Sequence, residues 1–265
     1  MKQAQALLSL LWQDYTSLNP RTLEIYDLLS SKGHVQNDHI ALRTYNHPKV
    51  NVDALSQYFT NLGYVPMERY QFTQKQLNAQ HFEHPDTTLP KVFISELRLE
   101  SFSRALQNTV NQFIDQITET DLKRWDFPVI GRPWSLTSQT YQALLEESEY
   151  AGWVSALGFR ANHFTVLVNA HPGFADLKTL NDFLLASGYQ MNQSGGLIKG
   201  SPDVYLEQSS TMASKIDIPF SDRVLPVPGC YYEFAQRYPL QDGSLFNGFV
   251  TGSADKIFES TDTQS

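Results

Sequence analysis

Apolar residues recur at helical spacing near the start of the chain. Leu7, Leu8, Leu11, Trp12 and Tyr15 share one face and predict a helix over residues 4–18. A second helix is expected from Asn19, with Pro20 at its first position, to Gly33. DHIALRTY, residues 38–45, mixes apolar and polar positions over a short run and reads as a strand. Val52, Leu55, Phe59 and Leu62 return to helical spacing over 51–62, closed by Gly63, and strand-like runs follow in GYVPMERYQF, NAQHFEHP and KVFISELRL. Helices are predicted over 101–119, with Phe102, Leu106, Val110, Phe113, Ile114 and Ile117 inward, and over 136–149. Between them, Trp125 to Pro133 reads as a linker. NHFTVLVN, residues 162–169, is strand-like, 174–187 a helix closed by Gly188, and GGLIKG, DVYLEQ and PGCYYEFAQR are further strands. From Thr251 the chain is polar and is expected to fray.

The pattern repeats. When DHIALRTYNHPKVNVDALSQYFTNLGY is set above NHFTVLVNAHPGFADLKTLNDFLLASGY, His39 falls on His163, His47-Pro48 on His171-Pro172 and Phe59 on Phe183, each 124 positions on. Gly63-Tyr64 falls on Gly188-Tyr189 after one inserted residue. Each copy reads strand, His-Pro turn, amphipathic helix, Gly-Tyr, then short strands: one supersecondary unit used twice. The fold class expected is α+β, with two tandem βαβββ-type modules curling as one mixed sheet around a shared site, plus added N-terminal and inter-module helices. This resembles the vicinal oxygen chelate architecture of glyoxalases and extradiol dioxygenases. There the first strand of each module and a late strand of one or both carry metal ligands. The expected layout is a single domain over 1–265. It comprises a helical cap 1–34, module one 35–124, a linker and helix 125–158, module two 159–250 and a frayed tail 251–265.

Composition narrows the function. With 41% hydrophobic and 18% charged residues, the chain is an ordinary globular one. A net charge of −8 argues against a broad grip on nucleic acid or anionic lipid, so an anionic ligand would need a few local Arg or Lys residues. The one cysteine, Cys230, allows no internal disulfide and fits a reducing compartment; it reads as a small core residue rather than a nucleophile. The N-terminal apolar run is broken by Gln13 and Asp14 with no cleavage site after it, so it reads as an amphipathic helix and not a signal peptide. A cytoplasmic protein with no membrane or nucleic-acid partner is expected.

His39 and His163 hold equivalent places in the two first strands, where pseudo-twofold packing brings both imidazoles to one point. The third ligand should come from a late strand. Glu233, flanked by Tyr231, Tyr232 and Phe234, shares a face with Tyr231 and Ala235, and a carboxylate on so apolar a strand needs a partner. Two histidines and a carboxylate with open positions form the facial triad of non-haem Fe(II) oxygenases, but the same set also holds Zn, Mn or Ni. Glu96 is taken as the module-one counterpart of Glu233, so a four-ligand site using Glu96 as well stays open. His47 and His171 read as residues of the repeated His-Pro turns, and His34, His81 and His84, outside the repeat, read as loop or surface-turn residues. Arg43 follows His39 on the same strand face, roughly 13 Å away if the strand is straight. An acid could bridge the metal and that guanidinium.

From DHIALRTY through PKVFISELR, RANHFTVLVN and GCYYEF, roughly residues 4 to 250 by element order, the chain resembles the 2-oxoadipate dioxygenase/decarboxylase family. Its most specific marks are the His-x-x-x-Arg strand and the second His in Asn-His-Phe. The resemblance implies Fe(II) on His39, His163 and Glu233, and conversion of 2-oxoadipate and O2 to 2-hydroxyglutarate and CO2 during lysine breakdown. It implies Arg43 on the far carboxylate of the substrate, which also lies against His39 and His163, and backbone contact near Val250. Val250 follows Glu233 by only 17 positions, fewer than in longer members, which bears on the substrate more than on the metal. Two alternatives remain: a glyoxalase-type lyase, isomerase or hydrolase without oxygen chemistry, and a binding protein without catalysis.

Overall fold

The computed structural model describes residues 2–261. Helices α1 (Lys2–Leu18) and α2 (Pro20–Ser30) open the chain, with Ala4, Leu7, Leu11 and Tyr15 forming the buried stripe of α1. The first sheet half is β1 (Asn37–Tyr45), α3 (Val52–Thr60), β2 (Val65–Phe72), β3 (Leu77–Glu83) and β4 (Lys91–Leu97). Helices α4 (Arg104–Asp115), α5 (Glu119–Leu122), α6 (Ser138–Glu147) and α7 (Glu149–Leu157) follow. The second half is β5 (Ala161–Leu167), α8 (Leu177–Ala186), β6 (Lys199–Ser201), β7 (Leu206–Ser210), the hairpin β8 (Lys215–Pro219) and β9 (Val224–Pro228), and β10 (Tyr231–Arg237). Helix α9 (Thr251–Phe258) ends it.

Eight strands form one curled mixed sheet in the order β2-β3-β4-β1-β5-β10-β7-β6. The order mirrors itself about the antiparallel β1–β5 seam, with a parallel pair flanking it on each side, β1–β4 and β5–β10. The repeated sequence signals carry out the same local work twice. His47 and His171 each accept, through Nδ1, the N–H of the residue two further on. Asn51 and Asp176 cap α3 and α8 by accepting from Ala54 and Thr179. Gly63 and Gly188 follow those helices at φ +103° and +86°, a conformation that costs a side-chain-bearing residue energy.

The central strands are buried on both faces. On β5, Phe164 points to the helix side, its ring 5.0 Å from those of Trp12 and Tyr15 on α1, while alternation sends His163 and Thr165 to the concave side.

One expectation is corrected, and two elements are added. The tail is not frayed through residue 261: α9 packs on β6, β7 and β2, burying Ile257, Phe258, Ser260 and Thr261. A polar composition hid an amphipathic helix. Residues 262–265 of the expected tail lie outside the described residues. Helix α7 and the β8–β9 hairpin also went unpredicted. The first is apolar all round because it is buried on every side, which removes the helical period. The second carries Pro219, Pro226 and Pro228, which argue against a strand.

Candidate metal centre

His39 on β1 and His163 on β5 meet across the seam. His39 pairs with Thr165 and His163 with Ala41, so the two imidazoles are diagonal neighbours with ring centroids 5.5 Å apart. Glu233 on β10 stands beside Thr165 in the parallel register and completes the group. One ligand atom from each of His39, His163 and Glu233 lies within 4.8 Å of the others, and all three residues are buried. Glu233 Oε1 is 3.6 Å from His39 Nε2, and Oε2 is 3.2 Å from His163 Nε2. These are distances at which a cation fits between the donors without strand movement.

Both imidazoles are oriented from behind. His39 Nδ1 is 2.8 Å from Asp38 Oδ1, and His163 Nδ1 is 3.0 Å from Asn162 Oδ1. A proton on each Nδ1 leaves each Nε2 lone pair facing Glu233, the arrangement that metal-binding histidines take. Asp38 is itself gripped by Arg237, at 2.6 and 2.7 Å. Burial alone would raise the Asp38 carboxyl; the Arg237 guanidinium overrides it and holds the group well below its usual range. Gln208 donates to Glu233 Oε1 at 2.6 Å, and the Thr165 hydroxyl is 3.1 Å from His39 Nε2.

The electrostatics of the donor set fit a metal. Burial lowers His39 and, more strongly, His163, and pushes Glu233 up to about 8. Without a cation the group is driven towards neutrality. A bound dication would reverse that cost and take two neutral imidazoles and one carboxylate.

Arg43 lies on the same face of β1 as His39 and is buried among Tyr150, Trp153 and Phe258, whose ring centroids are 5.1, 5.0 and 5.6 Å from its guanidinium carbon. Its Nη2 donates to Thr261 at a long 3.5 Å, and its Nε has no partner. Tyr231, stacked on His163 at 4.6 Å, turns its buried hydroxyl towards the Arg43 guanidinium. A cavity of about 230 Å³ reaches Arg43 from outside between Leu77, Phe102, Tyr150 and Phe258. The ring of Phe249 meets His39 edge to face at 4.8 Å.

Other candidates fall elsewhere. Glu96 stands beside Thr44, on the face opposite His39, and accepts from the N–H of Val52 at 2.8 Å and from Asn78 at 3.3 Å. Nor is it the counterpart of Glu233. His39 pairs with Lys91 as His163 pairs with Tyr231, so two residues further on the matching position is Phe93. Val250 is the N-cap of α9, and its carbonyl takes the N–H groups of Ser253 and Ala254; its neighbour Phe249 is the one that packs on His39. Cys230 is buried, and burial raises its thiol to about 11, which removes it as a nucleophile at neutral pH.

Sequence reasoning missed the residues behind the ligands. Asp38 and Asn162 were findable, since the repeat sets one above the other directly before each histidine. Arg237 follows Glu233 by four, as Arg43 follows His39, so the strand period carried that signal too. Gln208, Thr165 and Phe249 reach the site only through pairing of distant strands and a loop, and no local pattern marks them.

Comparison with known proteins adds four likenesses. The sequence profile of a family described as 2-oxoadipate dioxygenase/decarboxylase matches residues 2–124 and 132–244. The chain is 33% identical over 275 residues to the chloroplastic 2-oxoadipate dioxygenase/decarboxylase of Arabidopsis thaliana, covering 93% of this chain and 74% of that one. Its structure is similar to that of a Shewanella frigidimarina protein described as a hydrolase, with 50% identity, a TM-score of 0.91 and coverage of 94% of this chain and 98% of that one. It is also similar to the hydroxyglutarate synthase of Oryza sativa in complex with 2-oxoadipate. There the identity is 32%, the TM-score 0.86, and the coverage 97% of this chain and 91% of that one. No helix of the described residues is long and apolar enough to cross a membrane.

Proposed function

The chain belongs to the 2-oxoadipate dioxygenase/decarboxylase family, and on that footing we propose that it is an Fe(II)-dependent enzyme converting 2-oxoadipate and O2 to 2-hydroxyglutarate and CO2. His39, His163 and Glu233 would hold the iron, in a vicinal-oxygen-chelate-like pair of modules. The observation that carries the reading is the pairing, on one sheet face, of that buried triad with a buried Arg43 whose Nε is unsatisfied. When bound, the metal supplies Lewis-acid and one-electron chemistry towards a 2-oxo acid and O2.

The rest falls to the protein's own groups. Asp38 and Asn162 hold the Nδ1 protons, so both Nε2 atoms stay available at neutral pH. Gln208 fixes one oxygen of Glu233 and leaves the other towards His163. Arg43 binds the distal carboxylate of the substrate, supplying charge where burial makes an unpaired anion costly. Phe249 and Tyr231 flank the imidazoles and keep water from the reacting end. The proposed reaction balances with no external reductant and no net proton, so no dedicated acid or base is required of the chain.

The test is oxygen uptake by anaerobically purified, Fe(II)-loaded protein given 2-oxoadipate, with CO2 and 2-hydroxyglutarate measured together. Equal molar yields are expected. Absence of uptake with any 2-oxo acid, in protein shown to hold Fe(II), would replace this reading with the non-oxidative one.

A further inference from the structure

We propose that Arg237 is a positioning residue that locks the His39 ligand and the loop segment 239–249 into one arrangement, so that each supports the geometry of the other. The inference rests on the metal-site reading above. Arg237 is 2% exposed and spends its guanidinium on two tasks at once. Its Nε and Nη2 form a fork on Asp38, whose Oδ1 also meets His39 Nδ1. Its Nη1 donates to the carbonyls of Phe246 and Gly248 at 2.8 and 2.9 Å. The segment so held carries Phe249, whose ring lies 5.4 Å from the guanidinium carbon of Arg237 and 4.8 Å from the ring of His39. Tyr70 completes the attachment by accepting the N–H of Phe249 at 3.2 Å.

The other histidine lacks this linkage. His163 is oriented by neutral Asn162, whose Nδ2 makes no hydrogen bond, so its support ends one residue behind the ligand. The asymmetry gives the Asp38–Arg237 pair a role beyond holding β1 to β10. Buried ion pairs add little net stability, so stability alone does not account for it. A planar fork with further donors is what the double task requires, and an ammonium cannot reach both sides. A cavity of about 270 Å³ lined by Asp38, Arg237, Leu245 and Asn247 gives solvent a path to this clamp, so loosening it would open the back of the site.

Cobalt(II) titration and chymotrypsin cleavage within 239–249 test the linkage without any turnover. Arg237→Gln should weaken cobalt binding about ten- to a hundredfold and speed cleavage in the same protein. Asp38→Asn copies the arrangement already found at Asn162. It should weaken cobalt binding while cleavage stays slow, because the Nη1 bonds remain. Cobalt should slow cleavage of the unaltered protein, as reciprocity demands, and should lose that effect in Asp38→Asn. A folded Arg237→Gln with unaltered cobalt affinity, or with only one of the two readouts changed, would overturn the inference. If Arg237→Gln does not fold, Arg237→Lys decides: cobalt affinity and cleavage equal to the unaltered protein would overturn it. Unaltered protein that binds no cobalt sinks the metal reading itself, whereas equal binding by all variants sinks only the linkage.

Discussion

Phe93 occupies in the first half of the sheet the position that Glu233 occupies in the second. Its ring packs on Phe249 at 4.8 Å, and Phe249 packs on His39 at the same distance. The pseudo-twofold that brings two histidines together therefore brings one carboxylate and one apolar ring. A four-ligand site of glyoxalase type would need a donor at 93. Three donors with an apolar flank fit a metal site that keeps open coordination positions.

It follows that the ligand set should be separable by mutation. His39→Ala, His163→Ala and Glu233→Ala are each expected to abolish stoichiometric metal binding, measured by elemental analysis after anaerobic loading. Glu96→Ala should keep the full metal content and lose stability instead. Its carboxylate sits at the N-terminus of α3 on the N–H of Val52, and such a cap contributes about 1 kcal/mol. Metal loss in Glu96→Ala with retention in Glu233→Ala would reverse the assignment.

How much of this was legible depended on whether the signal was local. The two histidines, Arg43 and Glu233 sit on strands whose alternation can be read from neighbouring residues, and the repeat fixed the histidines' equivalence. The register between β1 and β4 could not be read that way, so Glu96 was matched to Glu233 although its side chain points to the helix face. A slip from 93 to 96 is odd and reverses the face. The closing of Arg43 by α9 was hidden for a different reason. Few residues of that helix are apolar, and their contacts are with strands far away in sequence. Helix α9 became visible only once β6, β7 and β2 were in place.

Removing the metal should leave a pH signature on stability. In the metal-free protein burial raises Glu233 from 4.5 to about 8. Between those values the folded state keeps a proton that the unfolded chain has released, so stability falls as pH rises through that window and levels off above it. Burial lowers His39 and His163 and gives the opposite slope, which ends near their unfolded value of 6.5. The fall from pH 6.5 to 8 therefore belongs to Glu233 and should amount to roughly 2 kcal/mol at 1.36 kcal/mol per pH unit. Urea unfolding of metal-free protein at both pH values should show it, and Glu233→Gln should flatten it. A rise over that interval would contradict a buried, protonated Glu233.

The last prediction concerns substrate choice. Arg43 is buried, ringed by Tyr150, Trp153 and Phe258, and its Nε lacks a partner. Its bond to Thr261 is at the 3.5 Å limit. A distal carboxylate would gain a two-pronged, charge-assisted contact there, worth about 1.5–3 kcal/mol for each charged hydrogen bond. A methyl end would leave the buried guanidinium without that contact. The iron-loaded protein is therefore expected to turn over 2-oxoadipate at least tenfold better in kcat/KM than 2-oxohexanoate, which has the same chain length and one carboxylate. Arg43→Ala should remove most of that preference while metal content stays at one per chain, because Arg43 does not touch the triad's ligand atoms. Arg43→Lys should restore only part of it, since an ammonium keeps the charge but cannot make the planar fork. Thr261→Val is the control for the enclosing segment: it removes the weak existing partner of Arg43 and should leave the preference in place. Equal turnover of the two acids by the unaltered protein would show that the distal carboxylate is not read at Arg43. Selectivity that survived Arg43→Ala would move the reader to another cation.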